Sequence, residues 1–175
     1  MKFMHSLAFV ALASASSLAL AAAPQLKVSK SVDIAASADT VWSKVKNFDA
    51  INTWHPAFAK DQIISGKNNV VGAERLLTMG DGGTIKEKLL GFDDKGRSFK
   101  YEILEGVLPV SDYKSTITVK STGKNTSTAT WSATFKRKDT GPNPAADAND
   151  ETATKTISGA YQAGLNNLKK ISEAK

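Results

Sequence analysis

The feature that most constrains this chain is a stripe of apolar side chains near its C-terminal end, at the spacing of one long helix. The stripe recurs every three or four residues and comprises Ile157, Tyr161, Gly164, Leu165, Leu168 and Ile171. Lys169 and Lys170 follow near the end where the helix dipole is negative. A helix with one apolar face has to bury that face against another apolar layer. The remainder of the chain must therefore supply a layer for this helix to cover.

Strand-like runs joined by turns supply that layer. A first strand is predicted at 26–34, and later strands at 61–65, 73–79, 84–92, 98–105, 113–121 and 126–137. Two short helices are expected after the first strand, one beginning at the N-cap Ser37 and one over 50–58. Strands grouped together with helices outside them indicate an α+β fold. We expect a curved six- to seven-stranded antiparallel sheet wrapped around the long C-terminal helix.

Alternation along the strands predicts which side chains face that helix. Lys86 and Lys88 have to face water, so Glu87 between them is predicted to point inward. If Gly80-Asp81-Gly82 forms a three-residue hairpin loop, Arg75 lies directly opposite Glu87 on the neighbouring strand. A buried carboxylate needs a partner. The pair could anchor a ligand or only fix the register of the hairpin.

Residues 1–21 are predicted to be a secretory signal peptide. They carry one lysine, then an apolar run, then small residues, and Ala19-Leu20-Ala21 fits the rule for cleavage after Ala21. The apolar run is short and rich in alanine, so we expect no stable membrane insertion after cleavage, with a retained anchor as the alternative. The predicted location is periplasmic or secreted, with residues 22–175 as one domain.

Composition excludes several classes of site. The chain has no cysteine, and His55 is the only histidine outside the predicted signal peptide. A thiolate or histidine metal site therefore lacks ligands, and we expect no metal and no cofactor. The net charge of +6 comes from scattered lysines and not from the basic stripe of a nucleic-acid-binding surface. We expect no nucleic-acid partner and a monomer.

From Val28 to about Ile171 the chain resembles the START-like or SRPBCC superfamily, whose members include polyketide cyclase/dehydrase-like proteins, the birch pollen allergen and abscisic-acid receptors. The segments that carry the resemblance are "ADTVWSKVKNFDAINTWHP", "VGAERLLTMGDGGTIKEKLLGFDDKGRSFKYEILEG", "LPVSDYKSTITV" and "YQAGLNNLKKI". The resemblance implies a helix-grip fold with a ligand pocket. It implies little about activity, because one fold carries many functions.

Compared with the abscisic-acid receptors, Trp54 takes the place of an aromatic residue and His55 that of the lysine that holds the ligand's carboxylate. Glu87 matches the receptors' inward glutamate, and Asp112–Ser115 matches a segment similar to "NYKS". The resemblance places the hairpin loop around Asp81 and the 107–109 loop at the mouth of a pocket. The receptors' latch is replaced here by Leu108-Pro109, so hormone reception is not implied.

The sequence leaves three interpretations of His55: a corner residue hydrogen-bonded to backbone, a ligand contact, or an acid/base group. We expect an exported protein that holds a largely apolar ligand, lipid-, polyketide- or aromatic-like, between the sheet and the C-terminal helix, with catalysis absent or incidental. The predicted contacts are Trp54, His55, Arg75, Glu87, Tyr101, Pro109, Tyr113, Trp131, Phe135 and Tyr161. One alternative is a cyclase or dehydratase using His55 and Glu87, and another is an envelope protein whose cavity is filled by side chains.

Overall fold

A computed structural model describes residues 23–174, so the predicted signal peptide lies outside the described residues. The strands are β1 (Leu26–Ile34), β2 (Phe58–Ser65), β3 (Glu74–Met79), β4 (Thr84–Asp93), β5 (Ser98–Gly106), β6 (Val110–Gly123) and β7 (Thr126–Arg137). The helices are α1 (Ala38–Val45) and α2 (Asp150–Glu173), with turns of 3₁₀ helix at Ile51–Thr53 and Ala146–Ala148. None of the helices in this part of the chain is long and apolar enough to cross a membrane.

The seven strands form one antiparallel sheet in the order β1-β7-β6-β5-β4-β3-β2. Consecutive strands from β2 to β7 are neighbours, and β1 pairs with β7 at the far edge. This confirms the α+β helix-grip fold.

The second predicted helix, over 50–58, is reduced to the single turn at 51–53. The backbone of Trp54 has a φ of −131°, which lies outside the helical range and ends this turn. Pro56, which lacks a backbone N–H, follows two residues later.

Both helices begin at a side-chain cap. The hydroxyl of Ser37 accepts a hydrogen bond from the backbone N–H of Thr40 at 3.2 Å, as the sequence predicts for α1. The side chain of Asn149 accepts from the N–H of Thr152 at 2.8 Å, and Asp150 lies in the first turn of α2. The long helix therefore begins at Asp150, near the end of the polar run "DTGPNPAADANDE" at 139–151.

Two elements, not one, cover the inner face of the sheet. The apolar stripe of α2 packs over β1 and β7, with Ile157, Tyr161, Gly164, Leu165 and Leu168 buried and Ile171 partly buried. The inner side of β4 and β5 is covered by α1 and the segment after it, where Trp42 lies 6.0 Å from Phe92 and Phe48 lies 6.2 Å from Phe99 between ring centroids. The C-terminal helix alone is too narrow for a seven-stranded sheet.

The predicted facing of the strands is confirmed. Burial alternates along β4, β6 and β7, and the residues predicted to point inward are buried. The hairpin register also holds, because Leu77 pairs with Ile85 and Arg75 pairs with Glu87. The alternation along the strands therefore determined which side chains lie in the interior, between the sheet and the helices.

Candidate functional site

His55 is a buried residue, with both ring nitrogens hydrogen-bonded to backbone. Its Nε2–H donates to the carbonyl of Ala160 in α2 at 2.9 Å, and its Nδ1 accepts from the N–H of Ala57 at 3.2 Å. A carbonyl can only accept and an amide can only donate, so these partners assign the neutral ring with its proton on Nε2. Only 2% of the residue is exposed. His55 therefore joins the corner before β2 to the C-terminal helix.

Burial lowers the pKa of His55, and the hydrogen bonds with backbone oppose this only in part. A base whose pKa falls on folding contributes stability above its unfolded value of 6.5, and that contribution is lost as the pH falls through the lower folded value. We predict that the stability of the wild type relative to His55→Gln falls as the pH drops below 6.5. The slope should reach at most about 1.4 kcal/mol per pH unit. Urea unfolding across this range measures it, and a pH-independent difference would contradict the assignment.

The space between the sheet and α2 is filled by aromatic side chains. Trp131 on β7 stacks on Tyr161 of α2, with centroids 4.2 Å apart and planes 10° from parallel. Trp54 lies 5.4 Å from Trp131, and the fully buried Phe135 lies 6.0 Å from Tyr113. These predicted ligand contacts touch one another. Within residues 23–174, the indole N–H of Trp54 is a buried donor without a hydrogen-bond partner.

Hydroxyl groups inside this aromatic layer form one hydrogen-bond network. Ser115 donates to the carbonyl of Ser132 at 2.9 Å, so its two lone pairs accept from Tyr161 at 2.7 Å and from the Trp131 indole at 3.0 Å. Tyr113 then donates to Tyr161. The Trp131 indole also donates to the Tyr101 hydroxyl at 3.0 Å.

Burial raises the pKa of Tyr101, Tyr113 and Tyr161 well above the usual range for tyrosine. The three phenols therefore stay protonated at neutral pH and hold the layer together as neutral groups. The central place of Ser115 in the network was not predicted. An inward hydroxyl on a strand of otherwise apolar inner residues was the available signal.

Arg75 lies at the centre of a buried ionic cluster. It contacts Glu87 through Nε at 2.8 Å and Nη2 at 2.6 Å, and Asp61 through Nη1 at 3.1 Å. Nη1 also donates to the carbonyl of Phe48, whose ring lies 4.1 Å below the guanidinium carbon. The predicted pair is thus a triad. The sequence missed Asp61, because its place in the cluster depends on the pairing of β2 with β3 and not on a local pattern.

Burial and the attraction between opposite charges shift the pKa values in this cluster in opposite directions. Burial raises the pKa of Glu87 and of Asp61, and the nearby Arg75 opposes both shifts. Burial would lower the pKa of Arg75, but the two carboxylates outweigh it and raise that pKa, so the guanidinium remains charged. Asp61 also accepts from the N–H of Ile51 at 3.0 Å. The cluster therefore ties β2, β3 and β4 to the segment after α1.

An open cavity of about 790 Å³ lies where β5 and β6 separate. The last residue pair between these strands is Glu102 with Lys114. Beyond it β6 bulges between Ser111 and Lys114, with Asp112 in the left-handed region at φ 49°. The lining side chains of apolar character are Ile103, Leu104, Leu108, Val110 and Tyr113, and the polar ones include Gln25, Glu102, Glu105, Lys114 and Lys138.

Of the ten residues predicted to contact a ligand, Tyr113 lines this cavity, and Pro109 lies between two lining residues, Leu108 and Val110. His55 lies at the corner before β2, and the other seven lie in the aromatic layer, the hydroxyl network or the ionic cluster described above. The interruption "EGVLPVSD" between two strand patterns was the sequence signal for the cavity. Across residues 23–174, no three His, Cys, Asp or Glu side chains are placed to bind a metal ion.

Comparisons with known proteins agree with this architecture. A family model described as "Polyketide cyclase / dehydrase and lipid transport" matches residues 25–173. The protein XoxI from Bacillus cereus is 32% identical, with a TM-score of 0.73 over 83% of this chain and 94% of that one. An uncharacterized protein from Bacillus thuringiensis is 31% identical, with a TM-score of 0.74 over 84% and 98% of the two chains.

The Zhui aromatase/cyclase from a Streptomyces species shares the fold at 17% identity, with a TM-score of 0.68 over 86% of this chain and 94% of that one. At this identity the likeness concerns the fold alone. No curated protein sequence matches the chain.

Proposed function

The chain belongs to the polyketide cyclase/dehydrase and lipid transport family, and from this premise we propose that it binds a small, largely apolar molecule in the cavity between β5 and β6. The ligand's apolar part contacts Ile103, Leu108, Val110 and the ring of Tyr113, and a polar end reaches the charged rim. The protein acts by binding and not by catalysis. Export to the periplasm or the medium, which rests on residues 1–21, is part of the proposal.

The observation that carries this proposal is the cavity itself. Its volume of about 790 Å³ falls within the range of roughly 300–1,000 Å³ that is usual for small-molecule sites. Its lining combines apolar residues with charged residues of both signs, among them Glu105 and Lys138. This distribution suits an amphipathic ligand such as a lipid or a polyketide.

The contacts of His55 and Glu87 favour binding over cyclase or dehydratase chemistry. A general acid or base must reach the substrate proton through a free nitrogen or oxygen. Both nitrogens of His55 are used by backbone, and Glu87 is ion-paired to a permanent cation. Turnover through either group would first have to break these contacts. Because the aromatic layer is filled, we propose the site at the β5–β6 end, away from the region under α2 that the sequence suggested.

Native mass spectrometry of the protein isolated from its own host tests the proposal. We expect a fraction of the protein to carry an additional mass of a lipid-sized or smaller molecule, which an organic solvent extracts. The same spectra give the mass of the chain and therefore test cleavage after Ala21. Preparations that repeatedly contain only the bare chain, and that also fail to take up an added apolar probe, would refute the proposal.

Leu108→Trp is predicted to weaken binding of the neutral apolar fluorophore N-phenylnaphthylamine by at least about tenfold, because the larger ring occupies space that the probe needs. Leu108 lines the cavity and is half-buried. The matched control is Ile64→Trp, since Ile64 is 49% exposed on β2 and does not line the cavity. A fluorescence titration measures both affinities. Equal weakening in the two variants would place the probe elsewhere.

A further inference from the structure

The outer face of the sheet, which neither helix covers, carries an unusual concentration of positive charge. Lys27 on β1, Lys100 on β5 and Lys114 on β6 line a shallow groove of about 570 Å³. No carboxylate lines that groove. Among the ion pairs found in residues 23–174, none involves these three lysines. Their charge is therefore available to an external partner.

The sheet register places the three lysines close together. Lys27 pairs with Thr134 on β7, and Thr134 pairs with Lys114 on β6, so the two lysines lie in one row two strands apart. At about 4.8 Å per strand, their Cα atoms are separated by roughly 10 Å. Lys100 pairs with Thr116, two residues along β6 from Lys114. Flexible side chains at these positions can reach a common anion.

Hydroxyl groups and exposed leucines complete this face. The groove is also lined by the hydroxyl residues Ser29, Thr116, Ser132 and Thr134, which can donate to phosphate oxygens. Leu90, 36% exposed, lines the groove, and Leu104, 43% exposed, lines the neighbouring cavity. Lysines combined with exposed apolar side chains are typical of surfaces that bind at the interface of an anionic membrane.

We propose that this outer face docks on a bilayer that contains anionic phospholipids. The three lysines and the hydroxyls bind the headgroup phosphates, and Leu90 and Leu104 contact the apolar side of the interface. The groove and the β5–β6 cavity share Lys114 and Thr134 as lining residues, so docking brings the cavity next to the membrane. The surface is an interaction site additional to the proposed ligand cavity.

Vesicle sedimentation tests the docking surface. The full-length mature protein should bind vesicles of phosphatidylcholine with phosphatidylglycerol and not vesicles of phosphatidylcholine alone, and salt should release it. Each lysine near an anionic surface contributes about fivefold to partitioning, so changing Lys27, Lys100 and Lys114 to Gln should weaken binding roughly a hundredfold. Glu102→Gln should strengthen it, because Glu102 is the carboxylate paired with Lys114 in the register.

A matched control removes the same charge elsewhere. Lys67, Lys95 and Lys155 are exposed, lie outside this face and form none of the ion pairs found in residues 23–174. Changing these three to Gln should leave most of the vesicle binding intact. Equal loss in both triple variants, or equal binding to neutral vesicles, would overturn the proposal. Displacement by inorganic phosphate at matched ionic strength would also overturn it, since the groove would then be a small-anion site.

Docking and ligand binding can fail separately. Lys27 and Lys100 do not line the β5–β6 cavity, so the double variant Lys27→Gln/Lys100→Gln should lose about 25-fold in vesicle partitioning while it binds N-phenylnaphthylamine like the wild type. Loss of vesicle binding with retained probe binding supports the docking surface by itself. Retained vesicle binding in this double variant counts against it, whatever the cavity binds.

Discussion

Arg75→Met is expected to lower the free energy of unfolding by about 3–5 kcal/mol, because it leaves Glu87 and Asp61 buried without their cation. Only 1% of Arg75 is exposed, and its guanidinium contacts both carboxylates and the carbonyl of Phe48. Methionine keeps much of the side-chain length but supplies no charge or donor. Urea unfolding at neutral pH gives the difference, which should make this one of the most damaging single substitutions in the sheet.

The variant should also strengthen the effect of acid on the cluster, because the pKa values of both carboxyls are already raised in the wild type. Without Arg75, the pKa values of both buried carboxyls rise further, so the folded state binds protons more tightly than the unfolded state. Stability is then gained as the pH falls, and the deficit against wild type should shrink between pH 7 and about 5. A deficit that grows on acidification would contradict this account of the cluster.

Lys86→Met is the matched control, because Lys86 lies on the same hairpin but on the outer face. Its ion pair with Glu74 spans 3.0 Å between side chains that are 29% and 23% exposed. Partly exposed pairs of this kind contribute little to stability, because solvent screens the two charges. A similar loss of unfolding free energy in Arg75→Met and Lys86→Met would show that the buried triad contributes no more to stability than a partly exposed ion pair.

Gly164→Ala is expected to destabilise the protein by about 1–3 kcal/mol, through overpacking between α2 and the corner at His55. A Cβ atom at this position lies 2.4 Å from Cδ2 of His55 and 3.0 Å from Cζ3 of Trp131. Neither ring can move freely, since His55 is held by two hydrogen bonds and Trp131 is stacked on Tyr161. Thermal unfolding followed by circular dichroism measures the loss.

Gly159→Ala provides the control in the same helix. Gly159 is exposed, and a Cβ there meets nothing within 4 Å. This substitution should stabilise the protein by about 0.5–1 kcal/mol, since alanine is the better helix former. In the Gly164→Ala background, His55→Ala should cost less than in the wild type because it relieves the contact. If His55→Ala destabilises the wild type and the Gly164→Ala variant equally, a clash with His55 is not the cause of the Gly164→Ala effect.

The interior of the sheet could be predicted from the sequence because its causes are local. Side chains alternate with a period of two along a strand, so Lys86 and Lys88 fixed the inward direction of Glu87. The three-residue loop at Gly80-Asp81-Gly82 fixed the register, and with it the Arg75–Glu87 pair. The resemblance to START-like proteins from Val28 to about Ile171 is confirmed, and the strand and helix patterns predicted the order of the elements.

The remaining features of the site depend on contacts between residues far apart in the chain. Asp61 joined the ionic cluster only because β2 folds beside β3, and the β5–β6 cavity depends on a bulge whose size no local pattern encodes. Aromatic spacing could not show that Trp131 and Tyr161 stack and fill the space expected for a ligand.

His55 shows the division most clearly. The sequence established that it is a lone histidine at a corner, with no partners for a metal site. Only the tertiary structure decided that α2 approaches closely enough at Gly164 for the carbonyl of Ala160 to accept a hydrogen bond from Nε2–H of His55. Strand alternation is a property of neighbouring residues, whereas the protonation and role of a buried ring depend on which distant backbone packs against it.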